Sequence, residues 1–184
     1  IVRPYLNAGA YLPEFPDGQR LGRTFYTVEI KSRPDPESNT IKTVYDDNVL
    51  VLNNKIIGKR YDSWSKNLLW YETPDGFIPA KSVQPVRNRP SQPLIELPVY
   101  GEKPGMWAEV SVPLVDIYLD GAEPKSPRLK ETINPRFYYS QVLWIDGIQQ
   151  GSSGEVLYHV MEKHGSYGDT FWADARAFTP LTPE

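Results

Sequence analysis

Val44-Tyr45-Asp46-Asp47-Asn48-Val49-Leu50-Val51-Leu52 aligns without a gap on Phe137-Tyr138-Tyr139-Ser140-Gln141-Val142-Leu143-Trp144-Ile145. Each block follows a Val-acid-Ile triplet, Val28-Glu29-Ile30 in the first case and Val115-Asp116-Ile117 in the second. Each precedes a third match, Phe77 to Val86 against Trp172 to Leu181. Three matched blocks in one order read as a duplicated module. The blocks are short, apolar and rich in β-branched and aromatic residues, so the module is a β unit.

The 184 residues suit two small units, each with a modest core. Twelve Tyr, five Trp and 18 Pro favour strands and turns over helices. The net charge of −3 argues against nucleic acid as a partner, which normally calls for a basic face. No apolar run is long enough for a spanning helix. There is no cysteine, so disulfides and thiol catalysis are excluded within this sequence. The start at Ile1 reads as a processed or truncated chain.

From these patterns we expect an extended arm over 1–22, one β module over 23–87, a Pro-rich linker over 88–106 and a second module over 107–182. Arg33-Pro34-Asp35-Pro36-Glu37-Ser38-Asn39 is a turn. Asn53-Asn54 offers a hairpin turn that returns Lys55 to Lys59 beside residues 48–53. Pro74-Asp75-Gly76 turns because Pro presets φ and Gly accepts a positive one. Lys81 to Val83 suits a single 3₁₀ turn, and Asp120 to Arg128 holds turn residues.

The string Val28 to Pro34, then Ile41, Val49 to Leu52, Trp70-Tyr71 and Gly76-Phe77-Ile78 resembles a bacterial SH3 domain. The resemblance implies two small half-open barrels in tandem. The second copy departs from the pattern near Tyr118-Leu119, and its aromatic pair reads Leu157-Tyr158. The tandem is similar to the region upstream of the catalytic domain in L,D-transpeptidases of filamentous, Chloroflexi-type bacteria. The residues that carry this are Asn67 to Tyr71, Phe77 to Val86, Trp107 to Pro113 and Phe137 to Gly147. Such enzymes use a His and a Ser-x-Gly-Cys segment, and the Cys is missing here. The resemblance implies a non-catalytic, extracytoplasmic module that binds peptidoglycan or positions a catalytic domain in cis.

Candidate ligand contacts are Tyr61, Trp64, Trp70, Tyr71, Tyr138 and Tyr139, because aromatic faces stack on sugar rings and peptide side chains. Trp144 and Trp172 match core positions of the first copy. His159 and His164 have only Glu162 and Asp169 nearby, which is not a metal-ligand pattern, and no cofactor is expected. Asp46-Asp47 reads as turn chemistry rather than an acid–base pair, since neighbours on a strand face opposite ways. Gly151-Ser152-Ser153-Gly154 lacks the Lys and helix of a phosphate loop. No catalytic residue is assigned. A purely structural spacer and an enzyme with a scattered acidic site are the alternatives.

Overall fold

The computed structural model describes residues 12, 14, 15, 18–64, 66–100, 102–151, 154–161 and 167–182. The fold is all-β with antiparallel strands. Contacts divide it into two compact units, residues 16–88 and residues 89–184 with the first fifteen. Among the described residues no helix is long and apolar enough to cross a membrane.

The first module contains β1 (Leu21–Thr24), β2 (Val28–Lys31), β3 (Thr40–Val44), β4 (Val49–Val51), β5 (Lys55–Ile57), β6 (Leu69–Thr73), β7 (Gly76–Pro79) and β8 (Val83–Val86). They form one sheet in the order β4-β1-β8 and another in the order β3-β2-β7-β6-β5. Val28, Ile30, Val44, Leu52, Tyr71, Ile78 and Val83 make the core, with both sheets contributing. A side chain at Gly22 would run into Val83 and Leu52, so the close approach across β1 requires glycine.

The second unit begins with a hairpin of β9 (Val99–Tyr100) and β10 (Lys103–Pro104). Then come β11 (Met106–Val110), β12 (Leu114–Leu119), α1 (Pro127–Glu131) and β13 (Arg136–Tyr138). β14 (Val142–Gln150), β15 (Val156–Met161), β16 (Thr170–Asp174) and β17 (Phe178–Pro180) complete it. Seven of these strands share one sheet in the order β13-β12-β16-β15-β14-β11-β17.

The strand pairings repeat the sequence alignment position by position. Val28 faces Val44 and Val115 faces Phe137, the same columns of the two copies. Gly22 lies between Leu50 and Pro85, as Ala108 lies between Leu143 and Pro180. Tyr71 faces Ile78 and Tyr158 faces Ala173. The 3₁₀ turns at Ala80–Ser82 and Ala175–Ala177 fall at matching positions. So do Asp47 and Ser140, whose φ values of 58° and 68° are left-handed. A slip of one residue would reverse every side chain, so shared register is a demanding form of agreement.

The resemblance implied half-open barrels, and the strands form open antiparallel sheets, none of them closed into a barrel. In the second module β13 and β17 end the sheet without pairing to each other. In the first, the ladder breaks at residues 52–54 and leaves two sheets. That break also corrects the hairpin expected at Asn53-Asn54. β4 pairs with β1, β5 pairs with β6, and Asn53 N–H donates to Glu72 O at 2.8 Å as the chain crosses between sheets. In the second module β14 runs through both roles unbroken, bending at an irregularity between Ile145 and Gly147. Pro74–Asp75 does form the tight turn, and a Cβ on Gly76 would stand 2.5 Å from the Lys31 carbonyl oxygen.

Within residues 88–106, expected as a linker, Arg89, Ser91, Leu94 and Leu97 pack on the second module. Arg89 N–H donates to Ser111 O and Ser91 N–H to Arg176 O, each at 2.9 Å. Leu94 N–H donates to the Tyr158 hydroxyl at 2.7 Å. Leu94 and Leu97 lie against the core of Met106, Val110, Ile145, Tyr158 and Phe178. Most of the expected N-terminal arm lies outside the described residues; Leu12 is buried in this same core. The arm was expected to reach residue 22, but β1 has already begun at Leu21.

Candidate ligand-binding groove

The connection from β12 to β13, residues 120–135, carries α1 where turn residues were expected. Pro127 stands at its first turn, where the missing N–H costs nothing. Ser126 makes no side-chain cap. Two backbone amides just ahead of the helix are held from across the fold instead. Asp169, only 7% exposed, accepts from Lys125 N–H and Ser126 N–H, both at 2.9 Å. This carboxylate pins the start of the helix to the strand entering β16. Leu129 turns inward and packs on the core.

Two hollows flank α1. One, of about 300 Å³, is lined by Asp116, Tyr118, Leu119, Pro124 and Ile133 among others. Burial pushes the Tyr118 hydroxyl up from its ordinary pKa, and the charges of Asp116, Asp174 and Glu155 push the same way. Tyr118 therefore stays a hydrogen-bond donor at neutral pH. The other hollow, of about 480 Å³, is lined by Arg128, Arg136, Tyr138, Gln141, Tyr167 and Asp169 around an apolar floor of Ile117, Phe137 and Phe171. Both share Ile117, Leu129, Thr132, Pro135 and Phe171, so they are two arms of one groove crossed by the helix.

The rim of the larger arm carries two arginines, Arg128 and Arg136, and the carboxylate of Asp169. Arg136 is held by Asp116, with Nε to Oδ1 at 2.7 Å. Arg128 is exposed and has no ion pair among the described residues. Asp169 accepts two backbone amides, which hold its carboxylate at the base of the helix. Gln141 accepts from Tyr138 N–H at 2.6 Å, which fixes the turn beneath the Tyr138 ring. An apolar floor with a few aimed polar groups is the usual make-up of a ligand site. Aromatic and arginine side chains at its rim are the residue types that dominate binding energy.

The six aromatic candidates divide. Tyr138 lines the groove; Tyr139, beside it, does not, and its N–H is turned to Pro113 O at 3.3 Å. Trp70 and Tyr71 are buried, at 1% and 5% exposure, and their faces are closed to a ligand. Tyr71 fills the first module's core. Trp70 donates its Nε1–H to Lys59 O at 2.8 Å and meets the edge of Tyr61 at 5.7 Å. Tyr61 in turn sits 4.6 Å below the Lys81 ammonium. Trp64, at 93% exposure, has neither burial nor cover. Trp144 and Trp172 are half-buried rather than fully in the core; Trp144 packs edge-on against Trp107 at 5.4 Å.

Arg128, Arg136, Gln141 and Tyr167 escaped the sequence reading. Besides Tyr138, the unequal lengths of the two copies between the triplet and the first block pointed to this region. Asp47 is held by Arg23 at 2.6 Å in a turn. His159 has a carboxylate at each ring nitrogen, Asp146 at 2.5 Å from Nδ1 and Asp120 at 3.2 Å from Nε2. Among the described residues no three His, Asp or Glu side chains are placed to hold a metal ion. Glu162 and His164 lie outside the described residues. No protein-family model matches the chain, and no curated protein is significantly similar to it.

Proposed function

We propose that the chain is a non-catalytic binding module of the bacterial cell envelope, and that the groove around α1 takes the peptide stems of peptidoglycan. The observation that carries this reading is the groove itself: an apolar floor edged by Arg128, Arg136, Tyr138 and Tyr167. Stem peptides offer carboxylates for the guanidinium groups and an aliphatic backbone for the floor. Chemistry on the bound polymer falls to a partner domain, since thiol catalysis has no cysteine to use in this sequence. The resemblance to the non-catalytic region of L,D-transpeptidases agrees with such a division.

The test is co-sedimentation with purified, lipid-free sacculi. Wild-type protein pellets with them, and Arg128→Gln and Tyr138→Ala each reduce the pelleted fraction several-fold. Wild-type protein that stays wholly in the supernatant overturns the proposal.

A second reading, a spacer that holds a neighbouring domain at a set distance, is favoured by one observation. Arg89 and Ser91 bond to the second module's backbone, and Leu12, Leu94 and Leu97 lie against its core. Under that reading the groove is incidental and both variants behave as wild type.

A further inference from the structure

We infer that the long β5–β6 loop of the first module is a peripheral contact for an anionic lipid surface. The protein is acidic, at −3 overall, yet residues 55–68 hold Lys55, Lys59, Arg60 and Lys66 against the single acid Asp62. Within this basic segment Trp64 is 93% exposed, Ile57 72% and Leu68 39%. The loop therefore combines positive charge with uncovered apolar surface in a short stretch of chain.

The loop is built to present its tip. Gly58 N–H donates to Leu68 O and Lys59 N–H to Pro34 O, each at 2.8 Å, which ties down the base. Gly58 has to be glycine, because a Cβ would collide with the Pro34 carbonyl and with Trp70. Lys59 pairs with Asp35 at 2.7 Å. Higher up, Asp62 does two jobs. One oxygen pairs with Lys81, and the other accepts Trp64 N–H at 3.1 Å. That local turn, braced by Lys81 and by Tyr61 against Trp70, projects the indole outward. Arg60 and Lys66 stay exposed and carry no ion pair among the described residues.

Charge decides the partner. A dissolved polyanion without bases would use the cations and leave Trp64, Ile57 and Leu68 in water, and a nucleic acid, whose bases could stack on Trp64, is disfavoured by the net charge of −3. A neutral glycan would use the indole and leave the cations idle. A bilayer with anionic headgroups uses both at once. Trp settles at the headgroup level, short apolar side chains enter the acyl boundary, and Lys and Arg near the surface add electrostatic attraction. The feature is independent of the groove around α1 and does not rest on its reading.

The experiment is flotation of the full chain with vesicles of phosphatidylcholine alone or with about one-third phosphatidylglycerol. The expected result is binding to the anionic vesicles only, reduced by high salt. Trp64→Ala lowers the partition coefficient about tenfold, and Arg60→Gln with Lys66→Gln lowers it roughly 20-fold, on the order expected for two surface cations. Unchanged circular dichroism and melting temperature establish that the variants fold. Equal binding to both vesicle types, no binding to either, or wild-type partition by Trp64→Ala overturns the inference. So does a Trp64-dependent retention on lipid-free sacculi without vesicle binding, which assigns the loop to glycan.

Discussion

Between their second and third strands the two modules differ most. The first crosses from β2 to β3 with residues 32–39; the second crosses from β12 to β13 with residues 120–135, about twice the length. The short connection packs down, with Pro34 against Gly58 and Asp35 on Lys59. The long one carries α1 and opens two hollows beneath it. The contrast reverses at the next variable site. The first module's β5–β6 loop runs through residues 58–68, while the second turns from β14 to β15 within residues 151–155. Each copy kept its strand registers and extended a different loop. Loops can do this because they carry few of the core's contacts. The lesson is that a shared scaffold need not mean a shared ligand.

The contrast can be broken first at the scaffold. Trp70 and Leu157 occupy the same position in the two copies, and both are fully buried. Trp70→Ala should cost about 3–5 kcal/mol and release the base of the basic loop, since Lys59 loses its hydrogen-bond donor. Denaturant unfolding followed separately in each module checks this: the first module's transition moves, and the second's does not. Movement of both would mean that the modules do not unfold separately. Leu157→Ala is the mirror experiment, with the second module's transition moving by about 2–5 kcal/mol.

Next is Asp169→Ala, which strands the N–H groups of Lys125 and Ser126 and should cost about 1–3 kcal/mol. Amide exchange at residues 125–131 should speed up, while the sheet beneath stays protected. If the helix stays protected, its anchor lies elsewhere. Arg128→Gln should leave stability within about 0.5 kcal/mol, because the side chain is exposed, while weakening ligand retention. A stability loss well beyond that would make Arg128 a structural residue.

The smallest effect concerns pH. The hydrogen bond from Lys59, followed by that from Glu37 N–H, holds the Asp35 carboxyl below its usual value of 3.8. A lowered folded-state pKa means that the pair supports the β5–β6 loop fully above that value and loses support as pH falls through the lowered one. The pair is exposed, so the expected response is local. Exchange of the 58–68 amides, referred to the intrinsic rate at each pH, should rise below about pH 4, whereas Asp35→Asn should already show the raised rate at neutral pH and lose that step. A flat profile would remove Asp35 from the loop's support.

Much of the scaffold was legible because registers follow apolar periodicity. Val28-Glu29-Ile30 and Val115-Asp116-Ile117 alternate as half-buried strands should, and the structure sets both in the same column. Three features were not legible, each for a physical reason. α1 is five residues with one inward apolar side chain, Leu129, which is too short for a helical period to show. Trp70 and Tyr71 were both expected as ligand contacts, although neighbours on a strand face opposite ways. β6 is covered on both sides, Trp70 by the Tyr61 loop and Tyr71 by the core. Residues 89–98 show no alternation, because they follow the surface of a finished module rather than a ladder. The groove was legible only at Tyr138. Its arginines became neighbours through the long connection, and no local spacing encodes that.

The account depends most on the groove around α1. Its most direct test is a backbone-amide NMR titration of the full chain with soluble muropeptide. The account predicts saturable shifts grouped at residues 116–141 and 167–171, abolished by Asp169→Ala at ligand concentrations that saturate the wild type. An absence of shifts, or shifts confined to the first module, would contradict it.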